Sequence, residues 1–269
     1  MKKFITLFFL CLGISHAAMA DTDTELWVAS NPDNNQTIDH SQWQTVLDKY
    51  VRTHESGVNR VDYGAIKNDG STELKSYVTM LQSIDPRQYN KQEQFAYWVN
   101  LYNAATVQLI VDNYPVESIR EIKDGFISFG PWGIEWIKVA GVDLSLDDVE
   151  HKILRPIWQD NKIHYAVNCA SFSCPNLSKT AFTAGNTDEQ LATLAAEYIN
   201  HPRGVQVEKG KLRLSSIYDW YNEDFETNNE TLIDHLKTFA NPNLKVKLAS
   251  LKSTSFSHDY DWGLNDIDK

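Results

Sequence analysis

Residues 91–113 read KQEQFAYWVNLYNAATVQLIVDN, and this stretch decides the fold. Large apolar side chains recur along it at the spacing of one helix face, and alanines occupy much of the remainder. These large side chains include Phe95, Trp98, Val99, Tyr102, Leu109 and Ile110. A helix that is apolar nearly all round is typical of the centre of a protein. Because Pro115 follows closely, the stretch predicts a buried central helix that ends before that proline.

Shorter periodic segments on both sides predict further helices and strands in mixed order. Helical spacing marks residues 41–51, 74–81, 146–158, 187–200, 217–225 and 231–239. Short apolar or alternating runs predict a strand over residues 162–169, hairpins over residues 134–144 and 205–214, and strand-like pieces within residues 245–262. The regular strand–helix period of a parallel sheet is missing. The sequence therefore predicts an α+β fold, with helices around the central helix and a small antiparallel sheet.

The N-terminal residues have the three-part pattern of a secretory signal. Lys2 and Lys3 precede an apolar run over residues 4–14, and Ala18 and Ala20 are the small residues that a signal peptidase reads. The run is too short to span a bilayer as a resident helix. We expect cleavage near Ala20, which makes residues 1–20 a signal peptide. The chain is then expected to be periplasmic or extracellular, without a transmembrane segment after cleavage.

The remaining sequence predicts one folded domain after a short lead-in. Residues 21–40 are polar and rich in Asn and Asp, which favours an irregular segment. Residues 41–269 carry the periodic patterns and are interpreted as a single α+β domain. The whole chain has a formal charge of −11 and no cluster of Lys and Arg. Since nucleic acids and anionic membranes bind through positive charge, the expected partner is a small molecule or a peptide instead.

Two cysteines remain after cleavage, and they support two interpretations. In an oxidising compartment Cys169 and Cys174 are expected to form a disulfide that holds a loop. Alternatively, one of them is a catalytic nucleophile, which needs a nearby base such as His164. On the predicted strand His164 and Cys169 are an odd number of residues apart and face opposite ways, so His164 suits Cys174 better. No cofactor or metal ion is predicted, because the paired short spacings of a zinc site are missing.

Polar residues within apolar segments supply the other candidate site residues. Asn100 and Asn103 share a face of the central helix, where they either line a pocket and polarise a carbonyl or bond loop backbone. Glu150 and His151 lie in the helix predicted over residues 146–158, where Asp147 is four residues from His151 and able to pair with it.

Aromatic residues next to carboxylates form a further candidate set near the C-terminus. The set comprises Trp220, Tyr221, Asp224, Tyr260, Asp261 and Trp262. Such residues suit sugar binding, and paired carboxylates can hydrolyse glycosides. The same residues also build cores whose polar tips need partners, so both interpretations stay open.

Several motifs occur together and in order along the chain. They are VDY at 61–63, FAYWVNLYNA at 95–104, SIR at 118–120, LDDVEH at 146–151 with LR at 154–155, IHYAVNCAS at 163–171 with CP at 174–175, WY at 220–221 with DF at 224–225, and YDW at 260–262. Jointly they resemble the domain of unknown function 547, from about Trp43 to Asn265. The resemblance implies a family found in exported bacterial proteins and in plant proteins, without an established reaction.

Two hypotheses for function follow from these residues. In the first, the protein is a hydrolase or acyl transferase centred on residues 164–174, with catalytic Cys169, Cys174 and His164 and with Asn100 as polar support. Asn103, Glu150, His151, Trp220 and Asp224 are then the candidate binding residues. In the second, the protein is a non-enzymatic periplasmic binding or interaction module, and Cys169 and Cys174 form a structural disulfide.

Overall fold

The computed structural model describes residues 21–123, 130–226, 231–251 and 256–269. The predicted signal peptide therefore lies outside the described residues. The α-helices are α1 (Asp21–Val28), α2 (Ser41–Tyr50), α3 (Tyr63–Ala65), α4 (Ser71–Gln82), α5 (Lys91–Asn113), α6 (Arg155–Trp158), α7 (Ile163–Ala166), α8 (Thr187–Ile199), α9 (Ile217–Trp220), α10 (Asn222–Phe225), α11 (Leu232–Phe239) and α12 (Pro242–Ala249). The strands are β1 (Val51–Thr53), β2 (Asn59–Val61), β3 (Ile137–Val139), β4 (Val142–Leu144), β5 (Val205–Glu208), β6 (Lys211–Ser215) and β7 (Phe256–Asp259). A π-helical segment, Asp148–Leu154, runs directly into α6.

The central helix is confirmed with both of its predicted ends. The Asn90 side chain caps α5 by accepting a hydrogen bond from the backbone N–H of Glu93, which satisfies one of the free donors at the helix start. Trp98 and Ala104 are fully buried on it, and α4 and the π-helical segment pack against it. No helix among the described residues is long and apolar enough to cross a membrane.

The strands form three small sheets. β1 pairs with β2, and β3 pairs with β4, both antiparallel. The third sheet has the order β5-β6-β7, in which β5 and β6 form an antiparallel hairpin and β7 lies parallel to β6. The α+β class is thus confirmed. The parallel pair was not predicted, because β7 reaches β6 only after the four intervening helices α9 to α12.

One local prediction is wrong, and a second holds only in part. Residues 163–166, predicted as part of a strand, form the helical turn α7. Asp160 starts this turn, since its side chain accepts from the backbone N–H of Lys162 at 2.9 Å and its carbonyl accepts from that of Ile163 at 3.1 Å. Within residues 245–262, β7 confirms a strand-like piece. The first part belongs instead to α12, which Asn241 caps through the N–H of Leu244. Such short apolar runs do not distinguish strand from helix by periodicity.

The lead-in contributes to the core, although it was predicted to be irregular. Its first part forms α1, and Trp27 of that helix is 2 % exposed. The Trp27 ring meets the Trp98 ring edge to face, with centroids 5.1 Å apart. Residues 29–40 lack regular helix or strand, as expected. This short segment is therefore anchored to the central helix by an aromatic contact.

Two chain segments distant in sequence meet at the edge of the core. We call residues 167–176 the cysteine loop and residues 260–266 the closing segment. The backbone N–H of Phe172 donates to the carbonyl of Gly263 at 2.7 Å, and the N–H of Asn265 donates to the carbonyl of Ala170 at 3.2 Å. Ser171 and Leu264 form an antiparallel bridge between them. The closing segment thereby fixes the conformation of the cysteine loop.

Candidate active site

A pocket of about 260 Å³ opens beside the cysteine loop. Its lining brings together residues of the central helix, the cysteine loop, the π-helical segment, α9 and the closing segment. The lining residues are Tyr102, Trp132, Asp147, Glu150, His164, Val167, Cys169, Cys174, Pro175, Ile217, Trp220, Tyr221, Tyr260 and Trp262. Five residues predicted for the site from the sequence thus line one pocket, namely Cys169, Cys174, His164, Glu150 and Trp220.

Cys169 is the partly exposed thiol of the pocket. Its Sγ lies 3.1 Å from the hydroxyl of Tyr260 and 3.3 Å from that of Ser171. Hydrogen bonds from Cys174, Ser171 and Tyr260 lower the pKa of Cys169 below its ordinary value, although burial and the charge of Glu150 oppose the shift. Donors to sulfur stabilise the thiolate over the thiol. Cys169 is therefore the sulfur of the pair in which the thiolate form is favoured.

Cys174 has the opposite character. It is 5 % exposed, and this burial, followed by its contact with Cys169, raises the pKa of its thiol well above the ordinary value. Its Sγ accepts a hydrogen bond from the backbone N–H of Cys169 at 3.0 Å. Both cysteines are free thiols in this structure, so the disulfide expected from the sequence is not formed here. The pair combines a thiolate-prone sulfur with a neutral one.

His164 lies between two carboxylates rather than against a cysteine. Its Nε2 is 2.7 Å from Asp224 Oδ2, and its Nδ1 is 3.6 Å from Glu150 Oε1. Its ring stacks on Tyr221 with centroids 4.0 Å apart. Burial disfavours the charged ring, but the carboxylates outweigh it and raise the pKa of His164. Since both ring nitrogens face carboxylates, the geometry favours a charged imidazolium over a neutral base.

The carboxylates around His164 are held in the ionised state. Burial alone would raise the pKa of Glu150, but the interactions with His164 and other cations lower it. The pKa of Asp224 is likewise lowered despite burial, because its side chain accepts from both His164 and Arg155. The Nε of Arg155 lies 2.6 Å from Asp224. The π-helical segment, α6, α7 and α10 thus meet in one charged cluster.

Asn100 and Asn103 do not line the pocket. Asn100 is fully buried and exchanges two hydrogen bonds with the backbone of Phe182, at 2.8 and 3.0 Å. Asn103 donates to the carbonyl of Ala166 at 2.9 Å and accepts from the N–H of Asn168 at 2.8 Å. Both amides therefore use their donor and their acceptor on loop backbone. Asn103 therefore holds the backbone of Asn168, the residue that precedes Cys169.

The remaining predicted residues lie around the pocket. His151 is outside the lining, where its ring contacts Arg155 at 3.0 Å and Asp147 at 3.7 Å, so the pairing with Asp147 is confirmed. Trp220 lines the pocket and is 46 % exposed. Of the aromatic and acidic set near the C-terminus, Asp224 and Asp261 are not part of the lining. The acidic members of that set therefore contribute no carboxylate to the pocket.

Aromatic rings form one wall of the pocket. Trp220 stacks on Trp262 with centroids 5.5 Å apart, and Tyr260 lies 4.8 Å from Trp220 and 4.6 Å from Trp262. Trp132 completes the wall at 5.5 Å from Trp262. The sequence did not identify Trp132 or Ser171 as site residues. Only Ser171 could have been recognised, because it lies between the two cysteines in sequence. Within the described part of the chain no group of side chains is arranged to hold a metal ion.

Fold and site together define an α+β protein with a free-thiol pocket walled by aromatic rings. Residues 86–199, which include the central helix and the cysteine loop, match the family described as "Protein of unknown function, DUF547". The family resemblance expected from the sequence is thereby confirmed over this segment. Comparison with curated proteins finds no match, and comparison with solved structures finds none either.

Proposed function

We propose that the protein is a thiol-dependent hydrolase or acyl transferase whose nucleophile is Cys169. The observation that carries this proposal is the setting of the Cys169 sulfur. It is partly exposed in a pocket, it faces the hydroxyls of Tyr260 and Ser171, and its pKa is lowered. A stabilised thiolate with access to solvent is the arrangement that nucleophilic cysteines share.

The reaction has two covalent steps. The Cys169 thiolate attacks an acyl carbonyl carbon and forms a C–S bond, and the leaving group departs with its bonding electron pair. Water or an acceptor nucleophile then attacks the thioester, gives up a proton to solvent and releases the thiolate. The Tyr260 hydroxyl lies within hydrogen-bonding distance of the sulfur and is a donor suited to the developing oxyanion.

The setting of His164 limits the substrate class. Both nitrogens of its ring face carboxylates, so the thiolate is stabilised by hydroxyl and thiol donors rather than by an imidazole. An amine is a poor leaving group unless a general acid protonates it as it departs. Because no imidazole is free to take up a proton and donate it to the amine, amide substrates are disfavoured. We therefore expect thioesters and activated esters, whose leaving groups depart as stable anions, to react faster than amides.

The same pair of thiols supports the alternative of a binding module with a disulfide. We propose that the chain is exported, on the basis of its N-terminal pattern, and an oxidising compartment favours pairing of Cys169 with Cys174. The contact between the N–H of Cys169 and the Cys174 sulfur already brings the two residues together. A bridge would remove the nucleophile, so the thiol state separates the two functions.

Alkylation of individual cysteines tests the proposal. Iodoacetamide labelling of the native full-length chain, followed by tandem mass spectrometry, gives the rate at each cysteine as a function of pH. We expect Cys169 to react with a midpoint below the ordinary value of about 8.5, and Cys174 to react slowly until urea is added. C169A should lose hydrolysis of p-nitrophenyl acetate, while H54A, at an exposed position outside the pocket lining, should keep it.

Two results would contradict the proposal. One is an alkylation rate at Cys169 no higher than in the urea-unfolded chain. The other is complete absence of free thiol at both cysteines after purification without reductant, which would favour the disulfide-held binding module.

A further inference from the structure

The geometry points to a cationic substrate: we propose that the pocket beside Cys169 binds an alkylammonium group. The inference rests on the proposed function for the reaction, because the ammonium would belong to the acyl donor or the acceptor. The binding itself requires only the pocket. Three properties of the lining support it, namely its aromatic wall, its charge and a buried carboxylate with free acceptor capacity.

The aromatic wall offers several electron-rich ring faces to one ligand. Trp220, Tyr260 and Trp262 have centroids within 4.6 to 5.5 Å of one another, and all three line the pocket. Cations are attracted to such faces, most strongly to tryptophan. Trp262 already makes one contact of this kind, with the guanidinium of Arg120 5.2 Å from its ring. Arg120 itself is not a lining residue, so it leaves the pocket free for another cation.

The charge of the lining favours the same ligand. Among its described residues are the carboxylates of Asp147 and Glu150 and the thiolate-prone Cys169, but neither Lys nor Arg. The one cationic group of the lining, His164, lies between Glu150 and Asp224, so two carboxylates face a single imidazolium. A cavity lined by negative charge raises the local concentration of cations and excludes anions. Acyl groups that carry a carboxylate or phosphate are therefore disfavoured.

Glu150 gives the ammonium a specific partner. Its side chain is 6 % exposed and ionised, yet Oε1 is 3.6 Å from His164 Nδ1, beyond hydrogen-bonding distance. The His164 Nδ1 is buried without a hydrogen-bond partner. A carboxylate has about four lone-pair sites, so Glu150 retains capacity for a further donor. The volume of about 260 Å³ suits a small head group rather than a peptide.

Competition by small ions tests the inference without requiring turnover. The probes are tetramethylammonium chloride, the longer (2-hydroxyethyl)trimethylammonium chloride, its neutral isostere 3,3-dimethylbutanol and the anion 3,3-dimethylbutanoate. Binding is measured by tryptophan fluorescence and by protection of Cys169 from iodoacetamide in the full-length protein. We expect the ammonium ions to bind more tightly than the alcohol. We also expect W220L and E150Q each to weaken binding by about threefold or more.

Matched controls keep the outcomes distinct. W158L removes an indole that packs on Phe95 outside the pocket, and it should leave ammonium binding unchanged. Equal binding of the alcohol and the ammonium ions would overturn the inference, as would tighter binding of 3,3-dimethylbutanoate. Failure of all probes to bind while Cys169 alkylates rapidly would overturn it and leave the thiol function standing. Ammonium binding with an unreactive Cys169 would support the binding site and refute the thiol function.

Discussion

Replacement of Asn103 by alanine should destabilise the protein strongly, even though Asn103 is outside the pocket. Its side chain is 2 % exposed and makes two hydrogen bonds to backbone groups, the carbonyl of Ala166 and the N–H of Asn168. Alanine removes the partner of both groups, and Ala166 and Asn168 are themselves buried. The change therefore removes the link between the central helix and the start of the cysteine loop.

The expected loss follows from these two contacts. A buried polar group left without a partner costs about 1–3 kcal/mol, so N103A should lose about 2–6 kcal/mol of unfolding free energy. A typical domain has only about 5–15 kcal/mol in total. The matched control is N113A on the same helix, where an exposed amide donates to the carbonyl of Leu109. Exposed positions of this kind usually change stability by about 0.5 kcal/mol or less.

Urea unfolding followed by tryptophan fluorescence measures both variants, with the slope of the transition as a check on two-state behaviour. The reasoning fails if N103A and N113A lose the same small free energy. If N103A retains its stability but loses rapid alkylation of Cys169, Asn103 acts in the chemistry of the pocket and the structural explanation is wrong.

Three further predictions concern the lead-in, the charged cluster and the nucleophile. W27A removes a buried aromatic contact and should cost about 3–5 kcal/mol in urea unfolding; a loss below about 1 kcal/mol would mean that α1 is not docked in solution. The folded-state pKa of His164 is raised above its ordinary 6.5, so its stabilisation is complete below about pH 6.5 and is lost as the pH rises through the folded-state pKa. The stability difference between wild type and H164Q should accordingly shrink from pH 6 to pH 9, and a difference that grows with pH would contradict this. Y260F removes a donor to the Cys169 sulfur and should slow its alkylation at pH 7 while the melting temperature changes little; an unchanged pH midpoint would exclude Tyr260 as a stabiliser of the thiolate.

The central helix was predictable because its information is local. The cap at Asn90, the apolar periodicity through Trp98 and the proline at 115 all lie within one stretch of sequence. Helix α7 was not predictable in the same way, because the short run Ile-His-Tyr-Ala at 163–166 is compatible with either strand or helix. The deciding interaction is the turn at Asp160, whose side chain accepts a hydrogen bond from the backbone N–H of Lys162. The spacing of apolar residues carries no information about such a contact.

The site was predicted only where its residues are neighbours in sequence. Cys169, Cys174 and His164 were identified from one short segment, whereas the position of Asp224 against His164 depends on a contact across 60 residues. Trp132 lines the pocket, although no pattern in the sequence indicated it. That Glu150 lies beside the imidazole of His164 is evident only from the structure. Residues near one another in sequence therefore identified the proposed nucleophile, and tertiary packing supplied its charged and aromatic surroundings.

The pairing of the closing segment with the cysteine loop has a consequence for the order in which the protein is made. Tyr260 reaches the Cys169 sulfur only when residues 260–266 lie along the loop, and these residues are separated from it by about ninety positions of chain. While synthesis is still under way, Cys169 therefore lacks one of its hydroxyl donors and one wall of its pocket. Under the proposed function, the sulfur is expected to be less reactive toward acyl groups throughout that interval. Completion of the pocket would then depend on the last residues of the chain to be made.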